Sequence, residues 1–169
     1  MQFSLTPGGK LTGRIRVPGD KSMSHRSIMR GAIPAGRSSV RGFLEGEDAL
    51  ATLSAFRAMG VDISDPQSGR LTIEGVGLRG LQAPKQTLDL GNSGTSIRLM
   101  SGLLAGQSFD TVLTGDESLM RRPMGRIITP LTQMGASIDA REGCPPLTIQ
   151  GRGSLTGIHY DLPVASAQV

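Results

Sequence analysis

Tryptophan is absent from this chain, and one tyrosine and four phenylalanines are its only aromatic residues. Stacking platforms for bases are therefore scarce, and no run of lysines and arginines forms a basic arm, so nucleic acid is not the expected partner. Cys144 is the single cysteine, which rules out a disulfide within the chain and makes a reducing, cytoplasmic setting the natural expectation. Two distant histidines and no close carboxylate cluster would leave zinc without ligands, and neither metal nor cofactor is expected. Long apolar runs are also missing. Nothing approaches the roughly eighteen residues of a membrane span, and no apolar core follows a basic start, so a soluble chain without a membrane partner is expected.

Glycine is plentiful: 24 of 169 residues, placed at punctuation points between periodic segments. Hydrophobic residues make up 37% and charged residues 19%, the balance of a globular chain rather than a disordered one. The length suits one domain with a core, or part of a larger protein. Eighteen Lys and Arg outnumber fourteen Asp and Glu, leaving a net charge of +4. With nucleic acid disfavoured, that surplus points to small anions.

Three short polar turns concentrate the chemistry: Gly19 to Arg26, Leu90 to Arg98, and Ala165 to Gln168. The first two run straight into an apolar helical pattern. Such a turn aims backbone N–H groups and the positive end of a helix dipole at whatever lies in front of it. Lys21 and Arg26 accompany the first, and Arg98 the second. Several such turns in one chain predict a pocket for a ligand with more than one anionic group.

The chain also repeats. A helical stretch from Gly46 to Met59-Gly60, then Val61 to Ile63 and Leu71 to Gly75, is echoed by Gly115 to Met134-Gly135, Ala136 to Ile138 and Leu147 to Gly151. So long a period fits a duplicated supersecondary unit. Each unit reads as β-α-β-α-β-β. The first strands are placed at Arg14 to Val17 and Thr87 to Leu90, the third elements at Ser38 to Phe43 and Asp110 to Thr114. Turns around Pro66 to Gly69 and Gly143 to Pro146 join the last two strands of each unit. Met124, Ile127, Ile128, Leu131 and Met134 mark the last helix, with Pro123 expected in its first turn and Pro130 expected to bend it. A third copy begins near Ile158 and holds Ala165 to Gln168 in the slot of the earlier glycine turns. The chain therefore reads as a fragment, or one half of a split protein.

Asp20-Lys21-Ser22 with Ser24-His25-Arg26, Leu90-Gly91-Asn92 with Gly94-Thr95 and Arg98, Thr114-Gly115-Asp116 with Arg122-Pro123, and Ser166 with Gln168 together resemble the N-terminal part of the EPSP synthase (3-phosphoshikimate 1-carboxyvinyltransferase) family. The likeness runs from Leu5 to the last residue, with the motifs in the family's order. It implies an α/β fold, an inside-out α/β barrel of the enolpyruvyl transferase type built from these units. Residues 1–13 would be a strand belonging to or linking with the other domain. Residues 14–169 would be the N-terminal substrate-binding domain, two complete units plus the start of a third.

The resemblance further implies transfer of the enolpyruvyl group of phosphoenolpyruvate to the 5-hydroxyl of shikimate-3-phosphate, with release of phosphate, in the shikimate route. Lys21 would be the catalytic group between the substrates, reaching both. Ser22, Arg26, Ser166 and Gln168 would hold shikimate-3-phosphate, while Gly94, Arg122 and Gln168 would hold phosphoenolpyruvate. The general acid and base would come from a complementary C-terminal chain or domain. Ala167 stands where many relatives have a second serine, and Ser96 and Leu99 where an Ala and a Pro are common. The last two lie beside the expected phosphoenolpyruvate pocket, where a shifted helix start would alter the affinity of inhibitors such as glyphosate.

Other residues receive structural readings. Arg98 is expected to brace its loop, Asn92 to tie its turn locally, His25 to pack or cap, Arg121 to face solvent, and Met23, Met100, Met120 and Met134 to pack the core or a hinge. Two competing enzymatic or nucleotide readings are weaker. UDP-N-acetylglucosamine enolpyruvyl transferase carries a reactive cysteine before its Arg-Pro pair, and Asp116 to Met120 has none. A phosphate-binding Gly-Lys-Ser loop is interrupted by Asp20 and wrongly spaced from Gly13. A third reading is a fragment that binds shikimate-3-phosphate without catalysis.

Overall fold

The computed structural model describes residues 3–4, 6–10 and 12–163. Among the described residues four helices, α1 (Lys21–Ala32), α2 (Glu47–Ala58), α3 (Gly94–Ala105) and α4 (Gly125–Gln133), alternate with seven strands in a mixed α/β arrangement. The strands are β1 (Ala35–Arg41), β2 (Asp62–Ile63), β3 (Arg70–Val76), β4 (Leu88–Asp89), β5 (Thr111–Thr114), β6 (Ser137–Arg141) and β7 (Cys144–Gln150). A single 3-10 turn at Leu119–Arg121 stands between β5 and α4.

The repeat is visible in the topology. One sheet has the order β1-β3-β2, and the other β4-β5-β7-β6, so β1, β3, β2 and β5, β7, β6 occupy equivalent places. All pairings are antiparallel except β4 with β5. The second copy follows the expected β-α-β-α-β-β order in full. In the first copy, Arg14 to Val17 joins no ladder among the described residues. Its Ile15 and Val17 are 90% and 71% exposed, because without a paired edge a short alternating segment has neither hydrogen bonds nor a face to bury.

Local chemistry explains most element ends. Asp20 caps α1 by accepting from Met23 N at 2.7 Å, and Ser93 caps α3 by accepting from Ser96 N at 3.1 Å. Both α2 and α4 stop at a glycine with positive φ, Gly60 at 89° and Gly135 at 93°. The Val61 N–H bonds the Phe56 carbonyl and the Ala136 N–H bonds the Leu131 carbonyl, closing the same left-handed cap twice. The two terminal hairpins turn through Ser68-Gly69 and Glu142-Gly143, each pair with positive φ, the geometry that matches strand twist.

Three expectations are corrected here. The second hairpin turns one residue earlier than Gly143 to Pro146, so Cys144 opens β7 opposite Arg141 instead of lying in the loop. Pro123 precedes α4: the Met124 N–H is bound to the Gly143 carbonyl at 2.8 Å, and the helix begins after it. Met23 is 67% exposed at the α1 entrance, whereas Met100 is buried as expected.

One apolar cluster spans both copies. Ile28, Phe56 and Ile73 of the first copy and Ile97, Leu104, Leu113 and Leu147 of the second are almost wholly buried in it. Helix α1 packs on α2, β3 and α3, and α2 reaches β4 of the second copy. The helices are thus shared between the two sheets, which brings the starts of α1 and α3 to the same region. Among the described residues, no helix is long and apolar enough to cross a membrane.

Candidate functional site

Lys21 opens α1 directly after its Asp20 cap and forms an ion pair with Asp48 in the first turn of α2. The Lys21 side chain remains 55% exposed, so the ammonium is oriented without being sealed off. Ser22 and Arg26 follow on the same helix, both half-buried. Among the described residues no carboxylate pairs with Arg26. The approach to this helix is tight, since a Cβ on Gly19 would strike the Gly42 carbonyl oxygen.

The second turn is built around Gly94, the first residue of α3. A Cβ placed there would lie 2.7 Å from Arg98 Nη1 and 2.9 Å from Arg122 Nη1. Two guanidinium groups therefore flank a backbone stripped of side chain at a helix N-terminus. Arg98 Nη1 donates to the Gly94 carbonyl at 2.9 Å, and Nη2 donates to the Pro123 carbonyl at 3.4 Å. Burial, together with the neighbouring Arg122 and Arg126 cations, pushes the Arg98 guanidinium down from its ordinary value. Its Nε is buried without a partner. So much convergent positive charge favours an anion in front of Gly94.

Arg122 is steered by a relay between loops. Its Nη2 donates to Asn92 Oδ1 and, at 3.3 Å, to Ser118 Oγ. Asn92 Nδ2 in turn donates to Asp116 Oδ2 at 2.7 Å, and Asp116 Oδ1 accepts from Leu119 N at 2.8 Å. The Leu119 N–H and the Asn92 amide hold the Asp116 carboxyl below the usual carboxylate range. Asn92 thus ties two loops together instead of closing its own turn. Arg121 faces solvent, 80% exposed beside Glu117.

Of the sequence-predicted residues, Lys21, Ser22 and Arg26 share one helix start, and Gly94 and Arg122 share one cradle. Contacts link the two helix starts: His25 of α1 lies 3.0 Å from Ser96 of α3 and 3.4 Å from Ser93, its N-cap. Ser166 and Gln168 lie outside the described residues. Sequence reasoning missed Asp48, Asp116, Thr52 and Ser93 as parts of the site, and named Ser96 only as lying beside the expected phosphoenolpyruvate pocket. Asp116 and Ser93 stood inside quoted motifs, whereas nothing local to Asp48 or Thr52 announces a partner on another helix.

A family model described as EPSP synthase (3-phosphoshikimate 1-carboxyvinyltransferase) matches residues 5–169. The chain belongs to the EPSP synthase family. These are transferases of the shikimate pathway. The chain is similar to the 3-phosphoshikimate 1-carboxyvinyltransferase of Alkalilimnicola ehrlichii, 65% identical over 170 residues covering all of this chain and 38% of that protein. The Methylococcus capsulatus protein of the same name is 62% identical over 168 residues, covering 99% and 38%. A solved EPSP synthase from Acinetobacter baumannii superposes with a TM-score of 0.88 at 61% identity, over 92% of this chain and 36% of that one. The chain therefore spans about 38% of the length of the curated relatives it matches.

Proposed function

We propose that this chain supplies one wall of an EPSP synthase active site, completed by a C-terminal portion in the same or a second polypeptide. In that reading residues 14–169 form the N-terminal substrate domain of an inside-out barrel, and residues 1–13 lead to the other domain. The reaction joins the 5-hydroxyl oxygen of shikimate-3-phosphate to C2 of phosphoenolpyruvate. The hydroxyl gives up its proton and C3 gains one, producing a tetrahedral adduct. Loss of a methyl proton and cleavage of the C–O bond to phosphate then give the enolpyruvyl ether and inorganic phosphate.

Two phosphates and two carboxylates meet in this reaction, and their repulsion must be offset by fixed cations and N–H groups. Charge-assisted hydrogen bonds of this kind contribute roughly 1.5–3 kcal/mol each. Lys21 is assigned between the substrates, with Asp48 directing its ammonium. Ser22 and Arg26 take the shikimate-3-phosphate carboxylate, Arg26 through its planar fork. Gly94 and Arg122 take phosphoenolpyruvate, the Gly94 N–H exchanging its 3.0 Å bond to the Asn92 carbonyl for the ligand. Ser166 and Gln168 are assigned to shikimate-3-phosphate, Gln168 also to phosphoenolpyruvate. This wall binds and stabilises charge, and the proton-transferring acid and base belong to the other portion.

The observation that carries the reading is the Gly94 cradle, where Arg98 and Arg122 converge on an open helix start. The test is a chimera in which this chain is continued by the remainder of the Alkalilimnicola ehrlichii relative. Phosphate release should require both substrates, and Lys21→Ala or Arg122→Ala should each lower kcat/KM by about a hundredfold or more. A folded chimera without turnover, or one indifferent to both substitutions, would refute the assignment.

A further inference from the structure

Beneath the two loops lies a sealed polar cluster that the anion contacts do not use. His25, Thr52 and Ser96 are 0% exposed and Ser93 is 1% exposed, all within an otherwise apolar core. Buried polar groups destabilise a core unless each donor and acceptor is met. Here the distances close a circuit. His25 Nε2 is 3.4 Å from Ser93 Oγ, which is 2.7 Å from Ser96 Oγ. Ser96 Oγ is 2.5 Å from Thr52 Oγ1, and Thr52 Oγ1 is 2.9 Å from His25 Nδ1. A hydroxyl gives one hydrogen and accepts others, and a neutral imidazole gives one and accepts one. The circuit can therefore run in either sense with every member satisfied. An imidazolium, donating from both nitrogens, would break it.

The members come from three helices and both sequence copies. His25 lies one turn beyond Lys21 and next to Arg26. Thr52 lies one turn beyond Asp48, the partner of Lys21. Ser93 and Ser96 bracket Gly94, and Ser93 also caps α3. An apolar filling would occupy the same volume without fixing direction. We infer that this neutral-imidazole circuit is a clamp holding the Lys21 turn and the Gly94 turn in register, with His25, Thr52 and Ser96 as positioning residues for the anion site. The catalytic consequence rests on the proposed function above; the clamp itself does not.

Amide hydrogen exchange on this chain tests the clamp directly. Thr52→Val keeps the side-chain shape and removes the links to Ser96 and to His25 Nδ1, and His25→Phe keeps a buried ring and removes every bond to the imidazole. Each should speed exchange of the Met23, Gly94 and Ser96 amides together, by about tenfold, while the β6–β7 hairpin keeps its protection. The double variant should add little to His25→Phe, because the direct Ser96–His25 contact at 3.0 Å, which bypasses Thr52, is lost with the imidazole. Loosening confined to the mutated helix, or spread evenly over the molecule, would overturn the clamp. If His25→Phe fails to fold, Thr52→Val combined with Ser96→Ala decides, since Ser96 Oγ also lies 3.0 Å from His25 Nδ1. In the chimera, Thr52→Val should raise KM for both substrates about tenfold with kcat within about threefold, and unchanged KM values would refute the positioning role. Should the unmodified chimera show no turnover, the functional reading falls while the exchange pattern still judges the clamp.

Discussion

Gly94 and Gly19 are both glycines without positive φ, and their contacts separate a binding role from a packing one. At Gly94 an added Cβ meets only the ends of two arginine side chains. Gly94→Ala should fold with a melting temperature near that of the parent, but displace Arg122 and raise KM for phosphoenolpyruvate in the chimera by tenfold or so. At Gly19 the same methyl meets the Gly42 backbone, which cannot swing aside. Gly19→Ala should therefore cost about 1–3 kcal/mol in denaturant unfolding. Asp116 gives a pH signature. Because its folded carboxyl titrates below the usual range, its contribution is full above that range and disappears as pH falls through the lowered value. Asp116→Ala should flatten the acid side of the stability profile, read by thermal melts between about pH 5 and pH 2. The carboxylate's place in a Gly-Asp motif was legible; its grip on Arg122 through Asn92 was not, because that relay crosses three loops.

Among the elements, α1 is set by its cap and by its buried ring. Asp20→Ala removes the side-chain acceptor of the Met23 N–H and should cost about 1 kcal/mol. Burial lowers the affinity of His25 for a proton, opposed by Asp48 and reinforced by Lys21 and Arg26. The unfolded chain thus protonates this residue at a higher pH than the folded one. Stability due to the neutral ring is full above the ordinary histidine range and declines as pH falls from about 7 to about 5. His25→Gln should remove that decline, although its overall stability is lower. Helix ends were readable where local chemistry decides them, as at the Met-Gly pairs after α2 and α4. Arg14 to Val17 read equally well as a strand, yet a strand exists only with a partner, and no alternation of residues can supply one. The start of α4 moved for a similar reason, since Met124 is held by the distant Gly143 carbonyl.

Across the whole molecule, the two copies share one core and should unfold together. Ile97, 0% exposed on α3, sits among residues of both copies. Ile97→Ala should cost about 2–5 kcal/mol. Exchange protection in the Ser68-Gly69 and Glu142-Gly143 hairpins should fall by the same factor, in a single transition. Independent melting of the two hairpins would show that the copies are separate units. The same sharing places α1 against α3, so that two helix starts seventy-odd residues apart are joined through His25 and Ser96.

Composition, the paired Met-Gly stops, the doubled hairpin signals and the ordered glycine turns were sufficient to identify a duplicated α/β unit and the family. Each depends on neighbours within a few residues, where backbone preference and side-chain spacing act directly. The Asp48 partner of Lys21, the Asn92 relay to Arg122 and the His25 circuit depended instead on which helices meet, a matter settled by burying one continuous apolar core. Hydrogen bonds between such distant residues form only after that packing has brought them within reach and excluded water.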